Sequence, residues 1–63
     1  MKVTVGGTEY EIEGILHGTR PAWHLIKIAG TPMTSAQFLA LPTAEQQALV
    51  AHVQRHLEAM QGR

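Results

Sequence analysis

The segment from Thr43 to Met60 constrains the fold most, because it is the only long, strongly periodic stretch in the sequence. At about 100° per residue on a helical wheel, its larger apolar side chains gather on one side and its polar side chains on the other. The apolar side comprises Leu49, Val50, Val53, Leu57 and Met60, and the polar side Gln47, Gln54, Arg55 and Glu58. Such a helix is marginally stable alone in water, so we expect the rest of the chain to cover its apolar side.

Both ends of this helix carry sequence signals. Thr43 is predicted to cap the N-terminus, because its hydroxyl can accept from the backbone N–H of Gln46 while Gln46 completes a capping box. Glu45 in the first turn suits the positive end of the helix dipole. Gly62 is predicted to end the helix, since glycine adopts the left-handed conformation at little cost.

The first half of the chain predicts strands. Lys2–Val5 alternates apolar and polar residues, and Gly6-Gly7 suits the positive φ angles of a two-residue hairpin turn. The alternation resumes from Thr8 to Leu16. After a loop at 17–21, marked by glycine and proline, Ala22–Ala29 is predicted to be the third strand.

A short helix is predicted between the third strand and the long helix, from Thr34 to about Ala40. Thr34 and Gln37 have capping-box spacing, and Met33 and Phe38 occupy the two positions of a hydrophobic staple. A proline two residues beyond Ala40 prevents the short helix from continuing into the long one.

This order of elements predicts an α+β fold in a single domain spanning 1–63. A three-stranded antiparallel β-meander is followed by a short helix and a long C-terminal amphipathic helix packed on one sheet face. The predicted core is the set of apolar side chains that face the helices. It comprises Val3, Val5, Tyr10, Ile12, Leu16, Ile26, Ile28, Phe38, Leu39, Leu41, Leu49, Val53 and Leu57.

Size and composition bound the kinds of protein this chain can be. A domain of 63 residues buries only about 60% of its unfolded surface, and without cysteine it has no disulfide to stabilise it, which favours a homodimer. No apolar run approaches the roughly 20 residues of a membrane span, and the N-terminus lacks the features of a signal peptide. We therefore expect a cytoplasmic protein. The net charge is zero, which disfavours nucleic acid as a partner.

The third strand predicts a contact surface on the outer face of the sheet. If Ile26 faces the helices, alternation turns Trp23, Leu25 and Lys27 outward beside Ile15. We call these four outward residues the outer-face patch. An apolar patch with a polar rim is typical of a contact site, and an exposed third-strand edge could pair with a second copy. The alternative is that Trp23 packs under a loop or a chain end and belongs to the core.

The loop at 17–21 offers a second possible site. His17, the Thr19 hydroxyl and Arg20 could converge on an anion such as a phosphate, or the loop could be a plain connection. If nucleic acid is bound, we expect it at this loop and at Trp23, Lys27 and Lys2, because an aromatic ring beside basic residues can stack on and neutralise a single strand.

The remaining polar residues predict no catalysis and no metal. His52 and His56 share a helix face, but Val53 stands where a zinc-protease helix carries its glutamate, and no third ligand is evident nearby. The less favoured alternative is a metal-binding module through His52 and His56, with His17 or His24 contributed by another element. His24 is predicted to face the core without a catalytic partner. The alternate glutamates of Glu9–Glu13 are predicted to form a solvated face that resists aggregation.

The function predicted from these features is a small non-enzymatic protein-interaction module that forms a homodimer and needs no cofactor. It would act through the outer sheet face and the third-strand edge, using Ile15, Trp23, Leu25 and Lys27. Small regulators or inhibitors from phages and mobile elements often have this size and build. The alternative is a weak nucleic-acid or phosphate-ligand binding protein that uses His17, Arg20 and Lys27.

Overall fold

The computed structural model describes residues 1–15 and 22–61, which form an antiparallel sheet with one main helix packed on it. In chain order the elements are β1 (Lys2–Val5), β2 (Thr8–Ile12), a 3₁₀ helix (Ala22–Leu25), β3 (Ile26–Ile28), β4 (Thr31–Pro32), α1 (Ser35–Leu39) and α2 (Thr43–Gln61). The predicted α+β class is confirmed. The predicted Leu16 and Gly62, like the loop at 17–21, lie outside the described residues.

The first hairpin turns on Gly6 and Gly7, as the sequence predicts. Their φ angles are +58° and +81°, and Val5 pairs with Thr8 across the turn. Positive φ at both central residues is the type I′ geometry, which glycine adopts at little cost. A side chain at Gly6 would meet the carboxylate of Glu45, so this turn lies against the first turn of α2.

The second strand is shorter than predicted. It ends at Ile12 rather than continuing to residue 16, and Gly14 has a φ of +90° that breaks the extended backbone. The backbone N–H of Glu13 still donates to the carbonyl oxygen of Leu25 at 3.1 Å, which connects this end of the sheet to the 3₁₀ helix.

The third strand differs most from its prediction. Residues Ala22–Leu25 form a 3₁₀ helix, and only Ile26–Ile28 are extended. A turn at Ala29 and Gly30 then returns the chain as β4, so the described sheet has four strands in the order β1-β2-β3-β4 instead of three. The predicted third-strand edge is therefore wrong, because β4 pairs with it.

The short helix α1 begins as predicted. The Thr34 hydroxyl accepts from the backbone N–H of Gln37 at 3.2 Å, and the Gln37 side chain accepts from the backbone N–H of Thr34 at 2.9 Å. Both bonds of the capping box are present. Met33 and Phe38, the predicted staple pair, are both buried in the core.

The start of α2 follows a different arrangement from the one predicted. The carbonyl oxygen of Pro42 accepts from the backbone N–H groups of Glu45 and Gln46, so Thr43 already stands inside the helix. The Gln46 side chain does not turn back to Thr43 but donates to the carbonyl oxygen of Leu41 at 2.9 Å. The same Thr-x-x-Gln spacing thus forms a capping box at α1 and not at α2.

The core lies between the inner sheet face and the helices, and most of its members were predicted. Among the described residues, nine apolar side chains are buried: Val5, Tyr10, Ile12, Leu25, Ile26, Met33, Phe38, Leu49 and Val53. A second group of predicted residues is partly buried against them: Val3, Ile28, Leu41 and Leu57. Leu25 and Met33 were not predicted to be buried.

Leu39 is the predicted core residue that the structure contradicts. Its side chain is 68% exposed, because in a helix of five residues Phe38 already occupies the inward position and the next residue points about 100° away.

None of the helices in the described ranges combines the length and the apolar character needed to cross a bilayer.

Candidate functional site

The outer-face patch predicted from the sequence does not assemble. Trp23 and Ile26 would point to opposite faces of the sheet only if one unbroken strand contained both. Residues Ala22–Leu25 form a 3₁₀ helix instead, so the alternation does not extend back to Trp23. Trp23 is half-buried and stacks on Phe38, with ring centroids 5.2 Å apart and an angle of 23° between the ring planes. The interpretation of Trp23 as packed against the core is the one confirmed.

Leu25 is also on the inner side of the sheet. Its side chain is 6% exposed and that of Ile26 is 0% exposed, although the two are consecutive in sequence. Residues of one strand point to opposite faces in turn, whereas the junction of a 3₁₀ helix with a strand can bury two neighbours together. The prediction that Leu25 faces outward is therefore wrong.

Of the other predicted site residues, the structure describes Lys27 and Ile15. Lys27 is on the outer face as predicted, where its ammonium bonds to a carboxylate oxygen of Glu13 at 3.2 Å. Ile15 is exposed and follows the end of β2. His17 and Arg20, the predicted loop residues, lie outside the described residues, so the anion site remains a prediction.

The outer sheet face is polar and its charges alternate. The register places Lys2 opposite Glu11, and Glu11 opposite Lys27. The N-terminal ammonium of Met1 lies 3.4 Å from a carboxylate oxygen of Glu11. A shallow depression of about 170 Å³ on this face is lined mainly by the same charged side chains. The N-terminal ammonium is paired with Glu11 and Lys27 with Glu13, which leaves little field to attract a charged ligand, so this face is a weak candidate for a binding site.

One of the described histidines, His56, makes a contact that holds two parts of the fold together. His56 Nε2 lies 2.9 Å from the carbonyl oxygen of Gly14, which joins α2 to the segment after β2. His52 is half-buried one turn earlier on α2, and His24 is exposed rather than facing the core as predicted. In the described part of the chain, no group of three or more His, Cys, Asp or Glu side chains is arranged to hold a metal ion.

Exposed apolar side chains occur both near the sheet and on the helices. Four large apolar side chains among the described residues are exposed: Met1, Ile15, Leu39 and Met60. Leu39 is the most exposed of these. The carbonyl oxygen of Leu39 lies 3.4 Å from the Gln46 side-chain nitrogen, which places the exposed end of α1 beside α2.

An open groove of about 310 Å³ runs along this junction. Its lining combines the apolar side chains of Phe38, Val50 and Ala51 with the amide side chains of Gln46, Gln47 and Gln54. Phe38 is the buried member of this lining, and its ring stacks on Trp23. We call this feature the α1/α2 groove. The groove is open and partly apolar, and the exposed Leu39 follows its lining residue Phe38 in sequence.

Sequence reasoning missed this groove because it assigned Phe38 and Leu39 to the core together. One signal could have found it. A helix that is preceded by a cap at Thr34 and followed closely by Pro42 has room for only one full turn, and one turn cannot bury two consecutive large side chains. The exposed leucine follows from that length.

The fold and these surfaces place the chain among small α+β proteins. In comparisons with known proteins, no family model, no curated protein and no solved structure gives a significant match to it.

Proposed function

We propose that this chain is a small non-enzymatic protein-interaction module that binds a short apolar segment of a protein partner in the α1/α2 groove. The observation that carries the proposal is an open, partly apolar groove lined by Phe38, Val50 and Ala51, with the 68% exposed Leu39 next to Phe38 in sequence. Exposed apolar surface rimmed by polar residues is typical of a contact site.

The size of the groove supports a segment rather than a small ligand. Its volume of about 310 Å³ is at the lower end of the roughly 300–1,000 Å³ found for ligand pockets, and it is open to solvent. From Gln46 to Gln54 it follows α2 for about 12 Å, at 1.5 Å per residue. That length accommodates two turns of a partner helix, with one or two of its apolar side chains entering the groove.

The chemistry of the walls supports an uncharged segment. The groove lining contains no charged side chain. Its Gln47 and Gln54 amides can donate and accept hydrogen bonds, whereas the Gln46 side-chain nitrogen already donates to the carbonyl oxygen of Leu41. An apolar helix face flanked by Ser, Thr, Asn or Gln would find partners there, whereas a charged side chain would have no counter-ion in the groove lining. We therefore expect apolar side chains at i and i+3 or i+4 in the bound segment.

Selection of peptides from a display library on the immobilised protein tests this proposal. We expect enriched peptides that carry the spaced apolar pattern and bind the wild-type protein in solution. Ala51→Arg should weaken their binding by about tenfold or more, because a long charged side chain would fill the groove from its rim. Leu39→Asp should weaken binding as well. Fluorescence polarisation with a labelled peptide measures both effects.

Ala59→Arg is the matched control. Ala59 is exposed on the same helix but does not line the groove, so the same substitution there should leave peptide affinity unchanged. Equal binding to Ala51→Arg and to wild type would contradict the proposal, as would a library that yields no peptide with the apolar pattern.

A further inference from the structure

We infer that two copies of this chain pair through β1, in antiparallel register, to form one continuous sheet. The inference concerns the sheet edge opposite β4 and is independent of the α1/α2 groove. In the described part of the chain, β1 and β4 are the outer strands of the sheet. An outer strand can pair with a second copy through the main-chain N–H and C=O groups that point away from the sheet.

Successive residues of β1 point their main-chain N–H and C=O groups alternately toward β2 and away from it. Ile12 donates its backbone N–H to the Met1 carbonyl oxygen at 2.7 Å, and Val5 faces Thr8 across the two-residue turn. In an antiparallel pair, hydrogen-bonded positions recur at every second residue. Met1, Val3 and Val5 therefore bond to β2.

The alternate positions of β1, Lys2 and Thr4, direct their N–H and C=O groups away from β2. These groups form an edge with two donors and two acceptors. Both residues are exposed, which leaves the approach to the edge open.

The edge formed by β4 is closed to the same kind of pairing. The backbone N–H of Met33 donates to the Ile26 carbonyl oxygen at 2.8 Å, and Thr31 faces Ile28 across the Ala29-Gly30 turn. The position of β4 that faces outward is therefore Pro32, which has no N–H to donate. Only β1 offers donors at an outer edge of the described sheet.

The β1 edge is complementary to itself. When Val3 faces Val3 of the second copy on a two-fold axis, Lys2 of each copy faces Thr4 of the other, and these two pairs exchange four hydrogen bonds. No lysine then faces a lysine, so the pairing brings no like charges together on the outer face. On the inner face, the exposed Met1 faces Val5 of the second copy and gains an apolar neighbour.

The pairing should be weak, because two short strands bury less area than the roughly 1,200–2,000 Å² of stable complexes. Sedimentation equilibrium from micromolar to millimolar concentration should show the wild-type chain passing from monomer to dimer. Thr4→Pro, which removes an outward N–H without removing a bond to β2, should weaken association by about tenfold or more. Thr4→Val keeps the N–H and should associate at least as well as wild type.

Folding of Thr4→Pro is checked by the fluorescence of Trp23, which reports the contact with Phe38. If that variant does not fold, amide hydrogen exchange of the wild-type chain decides the question. The Lys2 and Thr4 amides should become protected as the protein is concentrated, while the Val3 and Val5 amides are protected throughout. A wild-type chain that stays monomeric at millimolar concentration would overturn the inference, and so would Lys2 and Thr4 amides whose exchange ignores concentration.

Discussion

Ala29 is the one residue other than glycine with a positive φ in the described part of the chain. Its φ is +51°, and with Gly30 at +84° it forms a two-residue turn of the same kind as Gly6-Gly7. In this conformation the Cβ atom of an L-residue is too close to the following carbonyl oxygen, which costs about 1–2 kcal/mol. The turn that connects β3 to β4 therefore carries strain that the first hairpin avoids.

Ala29→Gly should raise the free energy of unfolding by about 0.5 kcal/mol, because relief of the strain exceeds the extra entropy of glycine in the unfolded chain. Urea denaturation followed by Trp23 fluorescence measures the change.

The neighbouring position supplies the reverse substitution. Gly30→Ala should lower the free energy of unfolding by about 1 kcal/mol. No atom lies within 4 Å of the Cβ that this change adds, so the loss would come from the backbone alone. Stabilisation by Gly30→Ala would show that the turn does not hold the conformation described.

At the scale of single elements, the two helix starts offer a comparison within one chain. Both carry threonine followed three residues later by glutamine, but only Thr34 accepts a hydrogen bond from the backbone of its helix. At α2 the carbonyl oxygen of Pro42 takes the first helical bonds, and Thr43 lies one position inside. Proline before the threonine shifts the start of the helix by one residue.

Thr34→Ala should therefore lower the free energy of unfolding by about 1 kcal/mol through loss of the cap. Thr43→Ala should change it by less than about 0.5 kcal/mol, since alanine is the better helix former at an interior position. Thermal unfolding followed by circular dichroism compares the two variants. Equal losses would mean that Thr43 also caps its helix.

Elements whose signals are local could be predicted from the sequence. The turn at Gly6-Gly7, the cap at Thr34 and the buried stripe of α2 each depend on residues within one or two turns of one another. The α+β class follows from them. Their positions in the chain were correct because neighbouring residues alone determine them.

The candidate site could not be predicted, because it depends on where an element is interrupted. Trp23 and Leu25 were placed by extending the alternation of Ile26 backwards, and the 3₁₀ helix ends that alternation at Leu25. Propensity does not separate a short 3₁₀ helix from a strand in an apolar segment. The sequence therefore assigned Trp23 and Leu25 to the outer face of the sheet, whereas the structure packs both against the core on the helix side.

At the scale of the whole molecule, the fold depends on a small number of fully buried side chains. Ile12, Ile26, Leu49 and Val53 join the sheet to α2, and Leu25 packs with them. A domain of this size has a small margin of stability, so the loss of any one of these contacts is a large fraction of the total.

Leu25 and Ile15 test this dependence, because the sequence predicted both for the same exposed patch. Leu25→Ala should lower the free energy of unfolding by about 2–4 kcal/mol, enough to unfold much of the protein, since it leaves a cavity in the core. Ile15→Ala should change it by less than about 0.5 kcal/mol, because the Ile15 side chain is exposed. Chemical denaturation of both variants would show the contrast, and similar values would place Leu25 outside the core.

Pro32 has a consequence for how large an assembly of this protein can become. A sheet that could add copies at both margins would grow without limit into fibres as concentration rises. With the proline at one margin, joining through β1 occupies the only edge of the described sheet that offers main-chain donors. Growth would then stop at a pair, and a concentrated solution would stay clear instead of gelling.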